Sequence, residues 1–394
     1  MDRKILIPYY RGGAGHLSNA RAIEHSIRER FPAWNVKLID PSEILSASPL
    51  HRLYAEDWKR ILSMPYPVQR ALFRLNSAFP SFAEKTNRRM VSTYADACAE
   101  YCAAEKPDLI LSTHWGATQL FCEGRDRLPD RIPLWSLYYE FGGVLRLYYS
   151  DADRVFYITP KVGKELRGIG HAPERLTEID LLAQPEMRRA LPGKREARES
   201  LGIDPERFTV LVSLGGEGIG KLHAYAEHYA RHGAKAQLLV LAGRNTRLLE
   251  ELKSFISRNP SAADKIKPYG FLPDIRTHLG AADMAAGKCG ASFVSELVCA
   301  RRPLAILQLG APNEAANQDF LLERRYAWRT PDPRSFTELV DRLASDDGEY
   351  SAAVARMERA SLCEGADQIA DATSEYFASR LVRSSLYPAD TASL

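Results

Sequence analysis

Two glycine-rich loops constrain this chain most, because each stands between a short apolar run and a helix-like run. The first is Gly12-Gly13-Ala14-Gly15-His16, after Lys4–Pro8 and before 17–30. The second is Gly215-Gly216-Glu217-Gly218-Ile219-Gly220, after 208–214 and before Leu222–His232. Further strand patterns cover Asn35–Ile39, 108–112, 132–138 and 154–158 in the first half, and 236–242, Ile266–Tyr269, 282–286 and 303–309 in the second. Helix patterns fall at 91–105, 195–201 and 246–259, and from Ser335 onward. Strands alternating with helices argue for parallel sheets in an α/β fold. The expected architecture is two doubly wound domains facing a central cleft. The first spans 1–182, a proline-bearing linker 183–193 and the second domain 194–365. The stretch 366–394 is a helix and tail able to pack back on the first domain.

The 394 residues are enough for two full cores, with 45% hydrophobic and 26% charged residues. A net charge of +3 gives no argument for nucleic acid as a partner. No run of about 18 apolar residues predicts a membrane span. The start, Met1-Asp2-Arg3-Lys4 followed directly by a strand, leaves no room for a signal peptide, so a cytoplasmic chain is expected. Six scattered cysteines without a C-x-x-C pair read as reduced thiols, and no metal site is expected. Segment 41–89 holds several prolines and a mixture of aromatic and basic residues, including Trp58, Tyr66, Phe73, Arg52, Arg70 and Arg74. Such a mixture can suit an anionic membrane surface or a lipid, and more often is a packed helix with a solvated basic face.

Chemistry-bearing residues collect at strand ends. Lys288-Cys289-Gly290-Ala291-Ser292 precedes a helix pattern that carries Glu296, one turn on from Ser292 and on the same face. Free N–H groups at that helix start can hold phosphate, and Glu296 can accept from ribose hydroxyls. Asn313, Glu314 and Asn317 follow the next strand, where sugar hydroxyls would lie. His16 follows the first glycine loop and can take a proton from a hydroxyl, or make a structural hydrogen bond. His114-Trp115 ends a strand, which fits an acceptor contact or a capped strand end. Glu140 fits a second acid/base, an orienter for His16, or a loop carboxylate. The second glycine loop is not the G-x-G-x-x-G fingerprint, and no acidic residue ends 236–242, which disfavours a hydride-transfer enzyme.

Seven segments in order then carry a resemblance. They are GGAGH (12–16), PDLILSTH (107–114), LGIDPERFTVLVSLGGEGIG (201–220), AGRN (242–245), GFLPDI (270–275), AADMAAGKCGASFVSEL (281–297) and PNEAANQDFL (312–321). The chain resembles glycosyltransferases of the GT-B fold. Within them it is similar to the group of monogalactosyldiacylglycerol synthase, processive diacylglycerol glucosyltransferases and the lipid II-forming N-acetylglucosaminyltransferase. The resemblance implies two Rossmann-like domains and an inverting transfer of a hexose from a UDP-sugar to a hydroxyl, without a metal. It implies His16 as general base. Gly15, Gly216, Gly218, Gly220, Arg244, Phe271, Lys288, Gly290, Ala291, Ser292 and Glu296 would hold the nucleotide and diphosphate, and Asn313, Glu314 and Asn317 the sugar. The acceptor is a lipid or small-molecule hydroxyl beside His114 and Trp115, with peripheral membrane contact.

The chain departs from that group's pattern at Cys289-Gly290-Ala291, at Asn313 in place of glutamine, and at Glu140 in place of aspartate. Segment 41–89 is not recognisable residue by residue. Hexose and acceptor stay open, and so do two alternatives: a UDP-sugar epimerase of the same two-domain plan, and a natural-product glycosyltransferase with a soluble acceptor.

Overall fold

The structure is a computed structural model. It describes residues 2–10, 14–45, 64, 67–69, 71, 80–183, 187, 191–216, 218, 220–307, 314–345, 347–360 and 363–386. Segment 41–89 therefore lies largely outside the described residues, and so does Asn313.

The first sheet contains β1 (Lys4–Pro8), β2 (Asn35–Ile39), β3 (Leu109–Ser112), β4 (Leu134–Tyr138), β5 (Arg154–Tyr157) and β6 (Leu176–Glu178), in the order β2-β1-β3-β4-β5-β6. The second contains β7 (Phe208–Ser213), β8 (Ala236–Leu241), β9 (Ile266–Tyr269), β10 (Met284–Gly287), β11 (Leu304–Ile306) and β12 (Ala327–Arg329), in the order β12-β11-β10-β7-β8-β9. Every pairing is parallel. Parallel strands covered on both faces must be apolar throughout, and alternate residues serve opposite faces. Ile5 and Ile7 accordingly enter one core while Leu6 enters another. Leu211 faces the core shared with the first domain, and Val210 and Val212 the opposite one.

The helices that position the site are α1 (Ala14–Arg30), α2 (Trp115–Arg125), α3 (Lys194–Ser200), α4 (Leu222–His232), α5 (Thr246–Arg258), α6 (Ala291–Cys299), α7 (Ala315–Glu323) and α8 (Gly365–Leu386). Helix α8 follows the second domain yet lies on α1 of the first, where Arg30 pairs with Asp371 and Trp34 meets Phe377 edge-on at 5.2 Å. One apolar core runs from β1 and α1 through α6 to α8, so the two domains share packing. Among the described residues no helix is long and apolar enough to cross a membrane.

Three expectations change. The helix pattern 91–105 is two helices, Pro80–Ser92 and Ala95–Glu105, and the Thr93 hydroxyl donates to Arg89 O at 3.0 Å at the break. A threonine bonding back four residues competes with continued helix. Strands β6 and β12 were not expected, being three residues each and partly polar. Cys299 and Cys363 are joined in a disulfide rather than being free thiols. The fold brings their Cα atoms to 6.0 Å across a separation of 64 residues.

Candidate functional site

In an open parallel sheet, ligands bind beyond the strand carboxyl ends where the strand order reverses. In the first sheet that point lies between β1 and β3, in the second between β7 and β10. The loops leaving those four strands carry His16, Thr113-His114, Gly215–Gly220 and Lys288–Ser292. The two switch points face each other. A Cβ added to Gly15 would stand 2.9 Å from Ser292 Oγ, so the starts of α1 and α6 meet across the domains.

On the first-domain side, His16 Nδ1 lies 2.7 Å from Thr113 O. A carbonyl oxygen only accepts, so Nδ1 carries the hydrogen and Nε2 carries the lone pair. Burial holds the imidazole below its usual pKa, only partly countered by this hydrogen bond. A neutral ring whose Nε2 carries the lone pair can act as a general base at neutral pH. The group that orients His16 is thus the main-chain carbonyl of Thr113. Glu140 itself is half-buried at the end of β4, with Oε2 3.4 Å from Asn317 Nδ2.

Of the two readings of His114, an acceptor contact or a capped strand end, the structure shows a cap. Its ring is buried, and Nδ1 accepts from the N–H groups of Gly116 at 3.0 Å and Ala117 at 3.4 Å, capping α2. Burial, and then the nearby His16, push its pKa well below the ordinary histidine value. Trp115 stays half-buried, stacked between His114 at 5.5 Å and Tyr148 at 4.7 Å.

On the second-domain side, the glycine loop is pressed against the β8–α5 turn. Gly218 has φ +62°, and a Cβ there would lie 2.0 Å from Ala242 O; Gly243 has φ +61°, with Gly216 O at 2.4 Å. Only glycine fits both conformation and approach. Arg244 N donates to Gly216 O at 2.8 Å, and Asn245 Nδ2 to Gly218 O at 3.0 Å while its Oδ1 caps α5. The Arg244 guanidinium covers the Phe271 ring at 4.0 Å, beside Gly216, and Phe271 is 48% exposed. A cation on an exposed aromatic face makes a flat platform. Gly220 completes the loop at φ +132°.

Helix α6 starts at Ala291 with Gly290 as its N-cap and no side-chain cap, which leaves its first N–H groups for an anion. Lys288 Nζ lies 3.2 Å from Glu314 Oε1. Two oxygens nearby are buried with no protein partner: Ser292 Oγ, which faces Gly15 of α1, and Glu314 Oε2, whose sister oxygen holds Lys288. Buried polar atoms are normally satisfied, so these two oxygens are able to take a hydroxyl or N–H group from a ligand. Cys289 is buried and its thiol is pushed up to about 12 by that burial, so it is an inert neutral side chain. Glu296 is half-buried one turn after Ser292. Asn317, expected on a sugar, is fully buried; it accepts from Phe141 N at 3.3 Å and donates to Cys289 O at 2.8 Å. Its amide ties β4's exit to the loop of Cys289 and is spent on protein groups. Among the described residues no group of three or more His, Cys, Asp or Glu could hold a metal ion.

No family model matches the chain. In sequence it is 24% identical to a probable chloroplastic monogalactosyldiacylglycerol synthase of Nicotiana tabacum over 86% of its own length. It is 24% identical to the monogalactosyldiacylglycerol synthase of Spinacia oleracea, again over 86%. It covers 64% and 65% of those two proteins, just under two thirds of their length. In structure it is similar to Acinetobacter baumannii MurG, with TM-score 0.63, 12% identity, and 95% and 99% of the two chains covered. It is also similar to Anabaena HepE in complex with UDP and glucose, with TM-score 0.55, 14% identity and coverage of 95% and 100%. The fold is GT-B, and the resemblance drawn from the motifs holds.

Proposed function

We propose that the chain is an inverting glycosyltransferase that moves a hexose from a UDP-sugar to a hydroxyl of a lipid acceptor. The observation that carries this reading is the approach of the start of α1, which bears the neutral base His16, to Ser292 at the start of α6, where Ser292 Oγ is buried without a protein partner. The names of the sequence relatives and the UDP and glucose in a structural neighbour support the donor and acceptor classes.

In this reading the uridine lies on the platform of Arg244 and Phe271, and its ribose hydroxyls donate to Glu296. The diphosphate sits against the N–H groups that open α6 and the loop Gly215–Gly220, near Lys288. The acceptor hydroxyl gives its proton to His16 Nε2 as its oxygen attacks C1 of the hexose. The bond from C1 to the β-phosphate oxygen breaks, and its electron pair leaves on UDP. Charge developing on that oxygen is met by fixed N–H dipoles and a lysine, which stabilise the transition state without reorganising. Glu314 Oε2 and Ser292 Oγ receive the partners they lack. The enzyme works at the cytoplasmic face of a membrane by peripheral contact.

The test is a donor-by-acceptor screen by mass spectrometry, with diacylglycerol in liposomes and with soluble alcohols. A hexosylated lipid made only with UDP-hexose supports the reading. Release of free or epimerised sugar without an acceptor overturns it.

A further inference from the structure

We propose that Thr113 and His114, the two residues between β3 and α2, are positioning residues that hold His16 in its base-competent tautomer. This deepens the function proposed above and rests on His16 being the general base.

Three contacts converge on His16 from this turn. Thr113 O takes the hydrogen of Nδ1 at 2.7 Å, the Thr113 hydroxyl donates to the His16 carbonyl at 3.1 Å, and the His114 ring stands edge-to-face with the His16 ring at 4.5 Å and 78°. The backbone of α1's first turn and the imidazole are therefore gripped by the same dipeptide. Thr113 is itself anchored, because its N–H donates to Pro8 O at 3.0 Å, just beyond β1's pairing with β3.

The identity of His114 follows from two demands. Helix α2 needs an acceptor at its N-cap, which serine, asparagine or aspartate ordinarily supplies. The position also borders the base. Serine would leave the space beside His16 empty, and aspartate would set a negative charge against it. Histidine meets both demands: Nδ1 caps the helix, and since it accepts there its hydrogen must sit on Nε2, so the ring is neutral. Tyr10 closes the far side of that ring at 5.0 Å. The pair thus carries opposite tautomers, His16 with hydrogen on Nδ1 and His114 with hydrogen on Nε2. The neutral wall stops the His16 ring from turning away from Thr113 O.

The experiment uses the full chain labelled with 15N-histidine. Two-bond 1H–15N correlation spectra report each tautomer, and His16→Gln identifies the His16 signals. Wild-type protein is expected to show opposite, unmixed tautomers for His16 and His114. In His114→Asn the cap survives, so the melting temperature should hold, but the His16 signal should move to the exchange average of two tautomers. Its kcat should fall by roughly tenfold to a hundredfold, as loss of orientation does, with UDP affinity and donor KM unchanged. Thr113→Val should cause a smaller fall in kcat. A mixed His16 tautomer in the wild type overturns the proposal, and that readout stands even if His114→Asn fails to fold. Unchanged kcat in a folded His114→Asn also overturns it, and so does a rise in acceptor KM alone, which would make His114 an acceptor contact. If no donor and acceptor give turnover, the glycosyltransferase reading falls, while the tautomer spectra still decide the positioning.

Discussion

Asn317 in the second domain accepts a hydrogen bond from the main-chain N–H of Phe141 in the first at 3.3 Å, while donating to Cys289 O at 2.8 Å. One fully buried amide therefore joins the exit of β4 to the loop that precedes α6. Beside it, Tyr139 donates to Ser295 Oγ at 2.5 Å, and the rings of Phe141 and Phe320 pack at 4.3 Å. The orientation of the two domains is thus set by groups within a few residues of the loop that opens α6.

Asn317→Ala leaves the Phe141 N–H and the Cys289 carbonyl buried without this partner. Stranded polar groups cost about 1–3 kcal/mol, and urea unfolding should show a loss of that size. Asn317→Asp should be worse, because a carboxylate oxygen replaces the donor facing Cys289 O and Glu140.

Acid should reveal the histidine pair. His16 and His114 both have pKa values held below 6.5 in the folded chain, mainly by burial. Unfolding releases them to ordinary values, so below 6.5 the unfolded chain binds more protons. Their contribution to stability is complete above pH 6.5 and is lost as pH falls through the folded values. Activity should follow the neutral form of His16 and so persist at pH 6.5, its acid limb lying lower. A limb at or above 6.5 in kcat against pH would contradict this assignment.

Glu296→Ala should weaken UDP binding by about 1–3 kcal/mol, the loss of hydrogen bonds from a half-enclosed ligand. Titration calorimetry with UDP measures it. Affinity equal to wild type would remove Glu296 from the ribose site.

Asp283 anchors α3 to the second sheet. Its carboxylate pairs with Arg198 at 2.6 Å and Lys194 at 2.7 Å and accepts from Thr209 N at 2.8 Å. Arg198 is buried, so Asp283→Ala strands its charge and should cost about 3–5 kcal/mol in chemical denaturation.

The architecture was legible because parallel strands buried on both faces read as apolar runs, and each glycine loop announced a strand-to-helix turn. Most boundaries shifted by one to three residues, and the edge strands β6 and β12 were too short and polar to register. At the level of loops, the residues at strand ends do come together in part: Lys288 pairs with Glu314, and Ser292 faces Gly15 of the other domain. What could not be read were main-chain partners and long-range contacts. No residue type signals that Thr113 O orients His16, or that a buried Asn317 spends its amide on protein. A histidine serving as a helix cap looks the same in sequence as one facing a substrate, and only the Gly116 and Ala117 N–H groups distinguish them.

The most direct test compares wild type and His16→Ala with UDP-hexose and diacylglycerol liposomes, reading glycolipid by mass spectrometry and UDP affinity by calorimetry. The account predicts glycolipid from the wild type alone, with equal UDP affinity in both. Undiminished product from His16→Ala, or none from the wild type with any UDP-hexose, would contradict it.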